Sequence, residues 1–203
     1  MTIKNKEFLQ TYFASFRDLL DVEDIQDDVI NISNLFETCS RENGQVFILG
    51  NGGSAGIASH IAIDLSKNAG INARTFSDAS EITCLANDYG FENWMTHALR
   101  LRMTKNDIVV LISSSGNSQN VIKAARYVKE ENVKLVTLTG MSPNNELRKL
   151  GDINLWVDSR AYNLIETIHQ FWLMSIIDML IGEDTYGAQR VVTPLSKQSN
   201  LAT

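Results

Sequence analysis

The feature that most limits how this 203-residue chain can fold is one pattern used twice. The apolar run Phe47-Ile48-Leu49 breaks into Asn51-Gly52-Gly53-Ser54 and then into a helical stretch. Further on, Ile108-Val109-Val110-Leu111-Ile112 breaks into Ser113-Ser114-Ser115-Gly116-Asn117-Ser118 and a stretch with Val121, Ile122, Ala124, Ala125 and Val128 on one face. Short unbroken apolar runs are buried strands, and strands alternating with helices imply a parallel sheet covered on both faces. Right-handed crossovers then give a doubly wound α/β sandwich. In such a sheet ligands sit beyond the carboxyl ends of the strands, where both Gly/Ser loops fall.

A hydroxyl-rich turn between a buried strand and a helix start is an anion site. Free backbone N–H groups and the positive helix end favour negative charge, and serine hydroxyls add donors without adding charge. Phosphate is the usual biological anion of that size. Serine and glycine at such a point also cap helices for structural reasons alone, so both readings stand for each loop taken singly.

Length and composition fit one soluble domain, residues 1–182, followed by a loosely ordered tail, 183–203, in which Pro194, Ser196 and Ser199 interrupt any periodicity. The net charge of −6 argues against binding nucleic acid by phosphate neutralisation. Cys39 and Cys84 form no spacing motif and suit a reducing compartment. No signal peptide opens the chain and no apolar run reads as a membrane span, so the expectation is a cytoplasmic protein.

In chain order, residues 5–20 set Phe8, Leu9, Tyr12, Phe13, Phe16, Leu19 and Leu20 at helical spacing. After an acidic break at Asp21–Asp24, a second helix carries Ile25, Val29, Ile32, Leu35 and Phe36 and ends at Asn43-Gly44. The aromatic stripe either covers the sheet or packs against another subunit. Strands are expected at Gln45–Leu49, Ile71–Phe76, Ile108–Ile112, Leu135–Thr139 and Ile153–Val157. Helices are expected from Ala55 to Asn68, over Ala79–Ala86 with Ser77 or Asp78 as cap, up to Leu101, over Gln119–Glu131 and Asn145–Leu150, and from Tyr162 to Ile181 with Gly182 as the stop. Asn87-Asp88-Tyr89-Gly90-Phe91 reads as a polar turn.

Two pairs of side chains bear on chemistry. His60 and Asp64, four apart on the helix after the first loop, share a face; they form either a local hydrogen bond or part of a metal or acid–base site. Glu166 and His169 lie three apart on an otherwise apolar helix, and either pair with each other or line a site. His97 reads as a surface residue. Asp88 either caps the next helix or faces a ligand.

Four segments complete the picture: Gly50-Asn51-Gly52-Gly53-Ser54-Ala55, Ser59-His60-Ile61-Ala62-Ile63-Asp64-Leu65, Ala86-Asn87-Asp88-Tyr89-Gly90-Phe91-Glu92 and Ile112-Ser113-Ser114-Ser115-Gly116-Asn117-Ser118. In this order and at this spacing the chain resembles the sugar isomerase (SIS) domain family, within it the phosphoheptose isomerase branch, from about Phe8 to Gly182. The resemblance implies homotetramers with the N-terminal helices at their centre, and isomerisation of sedoheptulose 7-phosphate or a close phosphosugar. It gives Ser113, Ser115 and Ser118 the phosphate, with Ser114 in support, and Asn51, Gly52, Gly53, Ser54 and Asp88 the substrate-binding positions. His60, Asp64 and Glu166 take the catalytic positions, and the same three would hold zinc if a metal binds. Asp64, Glu166, Met174 and Asn163 stand where the family usually has Glu, Gln, His and Asp. A non-catalytic phosphosugar-binding protein is the alternative that these departures leave open.

Overall fold

Every residue of Val46–Gly50 and Ile108–Ser113 is buried, as unbroken apolar runs in a covered parallel sheet must be. The computed structural model describes residues 2–20, 25–189 and 192; the expected break at Asp21–Asp24 and the tail's Pro194, Ser196 and Ser199 lie outside them. The elements are α1 (Thr2–Leu20), α2 (Ile25–Arg41), β1 (Val46–Gly50), α3 (Gly53–Lys67), β2 (Ala73–Arg74), α4 (Ala79–Tyr89), α5 (Trp94–Arg100), β3 (Ile108–Ser113), α6 (Gln119–Glu130), β4 (Lys134–Thr139), α7 (Glu146–Leu150), β5 (Ile153–Trp156) and α8 (Tyr162–Ile181). All strand pairs are parallel, in the order β2-β1-β3-β4-β5. The order reverses between β1 and β3, so the crevice expected of a doubly wound sheet opens between the two strands that end in Gly/Ser loops.

Alternate residues of the strands feed two cores. Val46, Ile48, Val110, Ile112 and Val136 pack under α2, α3 and α8 with Phe36, Ile61, Leu65, Ile168 and Trp172. Phe47, Leu49, Val109, Leu111 and Leu135 pack under α4 to α7 with Phe76, Trp94, Leu99 and Val128. On α1, Phe16, Leu19 and Leu20 reach the first core, but Phe8 and Phe13 stay 66% and 58% exposed.

Several expected boundaries shift for identifiable reasons. The β2 strand shrinks to Ala73–Arg74, and on its side away from β1 the Ser66 hydroxyl takes both the N–H and the carbonyl of Ala73 at 3.1 Å, so this edge is capped by a side chain. The left-handed residue after α2 is Asn43 (φ 59°), not Gly44. Asp78 proves to be the cap of α4, accepting from the backbone N–H groups of Ser80 and Glu81, and the Ser80 hydroxyl together with these bonds holds its carboxyl below the usual range. The α4 helix runs three residues past Ala86, so Asn87, Asp88 and Tyr89 form its last turn and Gly90 (φ 83°) ends it. By length and composition α8 would suffice to cross a membrane, against the expectation from sequence. Here it is a core helix whose Leu164, Ile165, Ile168, Trp172, Leu173, Ile176 and Ile177 are buried.

Candidate functional site

The serine loop is held mainly by backbone bonds, and its hydroxyls make only long contacts of their own, Ser115 Oγ accepting from the Asn117 N–H at 3.3 Å. Gly116, at φ +64°, donates its N–H to the carbonyl of Ser113 at 3.0 Å, and a side chain there would collide with Asn145. Gly140, just past β4, donates its N–H to the carbonyl of Ser114 at 3.0 Å, and Leu147 donates to that of Gly116 at 2.9 Å. Ser118 stands at the N-cap of α6 but makes no capping bond; its Oγ accepts from Ser113 Oγ at a long 3.4 Å. Gly52, at the cap of α3, has no side chain to offer. Neither loop spends an N-cap side chain on its helix; at α6 the Val121 N–H goes to Asn120 Oδ1 at 3.1 Å, and the N–H groups before it stay available to an anion.

The two loops are stitched together by pairings the sequence did not announce. Asn51 and Asn120 exchange a reciprocal pair of amide hydrogen bonds, both 2.9 Å, across β1 and β3. Nothing in the order of residues announces this pairing, since 69 positions separate the partners. Asn145 is 2% exposed, packs beside Gly116 and donates to the carbonyls of Gly140 and Ser142.

Between the loops lies a cavity of about 130 Å³ lined by Asn51, Ser54, Ile112 to Ser115, Ser118, Tyr162 and Glu166. Among the described residues no lysine or arginine lines it, so an anion there would be met by hydroxyls, amides and helix ends. Ser114 Oγ is buried without a partner, a donor held in reserve at the cavity wall. Tyr162 and Glu166 come from the start of α8. The Glu166 carboxylate fills the space beside Gly53, where a Cβ would collide with it. It thereby also borders a second hollow of about 340 Å³ between α3 and α8, lined by Gly53, Gly56, Ile57, Asn163, Glu166, Thr167 and Gln170.

Behind Gln170, and outside the hollow's own lining, the His60 Nε2–H donates to Asp64 at 3.2 Å, and Gln170 donates to His60 Nδ1 at 3.1 Å. Gln170 also approaches Met174 Sδ at 4.0 Å. Sequence reasoning missed Gln170, although its place four residues after Glu166 put it on the same face of α8. Both readings of the Glu166/His169 pair fail in part. Glu166 lines the site, but His169 neither joins it nor pairs with Glu166; it is fully buried and bonds the carbonyl of Thr139 at 3.0 Å. Burial pushes its imidazole down to about 4, against a partial offset from that bond. Asp88 is exposed on α4, accepts from its neighbour Asn87 at 2.9 Å and lines neither cavity, while the cap position of α5 is held by Asn93. His97 is half-buried and stacked on Tyr89, with ring centroids 3.7 Å apart.

The donors do not fit a resident metal as they stand. Among the described residues no three His, Cys, Asp or Glu side chains gather closely enough to hold an ion. Both nitrogens of His60 are engaged, and Glu166 is drawn to Gly53, about 10 Å of helix rise from residue 60. What the arrangement offers is an anion pocket, a carboxylate at its mouth, and an oriented imidazole behind Gln170.

Residues 11–140 match the SIS domain family. A phosphoheptose isomerase of Helicobacter pylori (strain Shi470) is 33% identical over 181 residues, 86% of this chain and 92% of that protein. One from Syntrophotalea carbinolica is 31% identical over 86% of this chain and 93% of its own length. Among solved structures, a phosphoheptose isomerase of Neisseria gonorrhoeae superposes with a TM-score of 0.79 at 29% identity, covering 86% of this chain and 98% of that one.

Proposed function

The chain belongs to the SIS domain family, and on that premise we propose that it is a phosphosugar isomerase interconverting the ketose and aldose forms of sedoheptulose 7-phosphate or a close relative. The observation that carries the reading is the position of Glu166, a carboxylate shared by the anion cavity and the α3–α8 hollow. The phosphate sits among Ser113, Ser115 and Ser118, with Ser114, Ser54 and Asn51 around it, and Gly52 and Gly53 let the sugar approach the start of α3. The carbon chain then runs past Glu166 toward Gln170 and His60, which sets its carbonyl end in the hollow.

Isomerisation moves one proton between C1 and C2 through an enediol, with a second proton exchanged between the two oxygens. In this reading Glu166 takes the carbon-bound proton from one carbon and returns it to the other. His60 keeps its Nε2–H on Asp64 and exchanges Gln170 for the sugar at Nδ1, which takes the proton from one sugar oxygen and returns it to the other. Asp64 acts through the imidazole it orients, so of the three catalytic positions it is the one that need not touch the sugar. Asp88 meets the sugar only if a neighbouring subunit brings it there. We assign the chain to homotetramers in the cytoplasm: the uncovered Phe8, Tyr12 and Phe13 cluster on α1 is the kind of apolar surface that a second copy buries. Light scattering at micromolar concentration tests this, and a monomer would remove the assembly.

NMR of the protein incubated with sedoheptulose 7-phosphate tests the function. Growth of aldose signals that stops in Glu166→Gln is the expected result. Binding without turnover would make the protein a phosphosugar-binding member of the family, and absence of binding would remove the phosphate assignment as well.

A further inference from the structure

We propose that His169 is a positioning residue, which fixes α8 on the end of β4 so that Glu166 is held against the serine loop. The inference rests on the reading of Glu166 as the base.

The hydrogen bond that His169 makes is not explained by satisfying its partner. The Thr139 carbonyl already accepts the backbone N–H of Val157 at 2.9 Å. Nor does the imidazole gain full satisfaction, because its Nδ1 is buried with no partner. A polar ring in an apolar core carries a desolvation cost that a leucine of similar reach would not. Stability therefore does not account for a histidine here, whereas the direction of its one bond does.

That bond ends on a dipeptide with two duties. Thr139 receives the imidazole of α8 at 3.0 Å, and Gly140 donates its N–H to Ser114 in the serine loop at 3.0 Å. A side chain at Gly140 would collide with Ile165 of α8, so the helix lies directly on this strand end. Glu166 sits next to Ile165 and one turn before His169. Any slide of α8 along its axis would move the Glu166 carboxylate relative to the bound phosphate. A misplacement of about 1 Å at a reacting centre can cost ~10²-fold in rate. The Thr139–His169 bond is the polar tie that sets this register in an interface otherwise made of interchangeable apolar contacts.

The test is steady-state kinetics with sedoheptulose 7-phosphate, with melting curves, on wild type, His169→Leu, His169→Gln and Glu166→Gln. His169→Leu is expected to stay folded and keep KM within about twofold, because the serine loop is untouched, while kcat falls 10- to 100-fold. His169→Gln keeps an N–H that reaches the same carbonyl and is expected to recover most of that loss. Normal kcat in His169→Leu, a glutamine variant no better than the leucine one, or a change confined to melting and KM would overturn the proposal. Should His169→Leu fail to fold, His169→Phe keeps a ring in the same space without a donor to Thr139; it too should lower kcat, and normal turnover there would overturn the proposal. An inactive Glu166→Gln beside an active His169→Leu refutes the positioning role alone. A fully active Glu166→Gln removes Glu166 as the base and the role of His169 with it.

Discussion

The carboxylate of Glu166 occupies the space that a side chain on residue 53 would need, so the first turn of α3 meets α8 through a glycine. Gly53→Ala should separate stability from activity. Alanine is the better helix former by up to ~1 kcal/mol, and Glu166, as the end of a flexible side chain, can swing away at little cost. Unfolding free energy should be unchanged or slightly higher, while kcat falls by an order of magnitude or more. Unaltered turnover would mean that the carboxylate does not work from this position.

Within the serine loop two substitutions should behave differently. Ser115→Ala removes a donor to a charged oxygen, so phosphosugar affinity should drop by roughly 1.5–3 kcal/mol with little change in melting. Gly116→Ala meets both an unfavourable φ of +64° and Asn145, and should lose stability by at least ~1 kcal/mol together with binding. Calorimetric titration beside thermal melts reads both. Equal behaviour of the two variants would contradict the division between donors and scaffold.

The buried imidazole predicts an acid-sensitive component of stability. The His169 pKa lies at about 4 in the folded chain against 6.5 unfolded. Above pH 6.5 both states are neutral and nothing is lost. As the pH falls from 6.5 to 4 the unfolded chain takes up a proton that the folded one refuses, so stability declines by up to about 3 kcal/mol and the decline levels off below pH 4. Denaturant unfolding at pH 7 and pH 4.5 should show this, and His169→Gln should lack that part of the difference.

Zinc binding should be created by one substitution. Met174 approaches Gln170, which bonds His60, so Met174→His brings an imidazole to the His60–Asp64 pair. Calorimetry should detect no stoichiometric zinc site in the wild type and a clear one in the variant. Unchanged behaviour would show that position 174 does not face the pair.

Much of this was legible in the residue order because the physics is local. Alternation of apolar runs and amphipathic stretches specified the sheet, and Gly52, Gly53 and Gly116 marked where the backbone must turn tightly at strand ends. The residues alone left Glu166 either paired with His169 or lining a site, and only the resemblance to the SIS domain family gave it a catalytic position. What escaped depends on pairs distant in sequence. The Asn51–Asn120 bridge, the bond from Gln170 to His60 and the seat of His169 on Thr139 have no short-range signature. The run Asn87-Asp88-Tyr89 differs for another reason: its polar residues resemble a turn, but the α4 ladder continues through them to Gly90.

Among the described residues, the helix that carries Glu166 is also the last of the thirteen elements to be synthesised. Until it emerges, the faces of α2 and α3 that it covers, with Ile32, Phe36, Ile57 and Ile61, have no lid. A chain stopped between the end of α6 and residue 162 would hold both Gly/Ser loops yet leave the core under α2 and α3 open to water. Translation order thus makes completion of the core and arrival of the carboxylate a single event, and a nascent chain has no half-active stage.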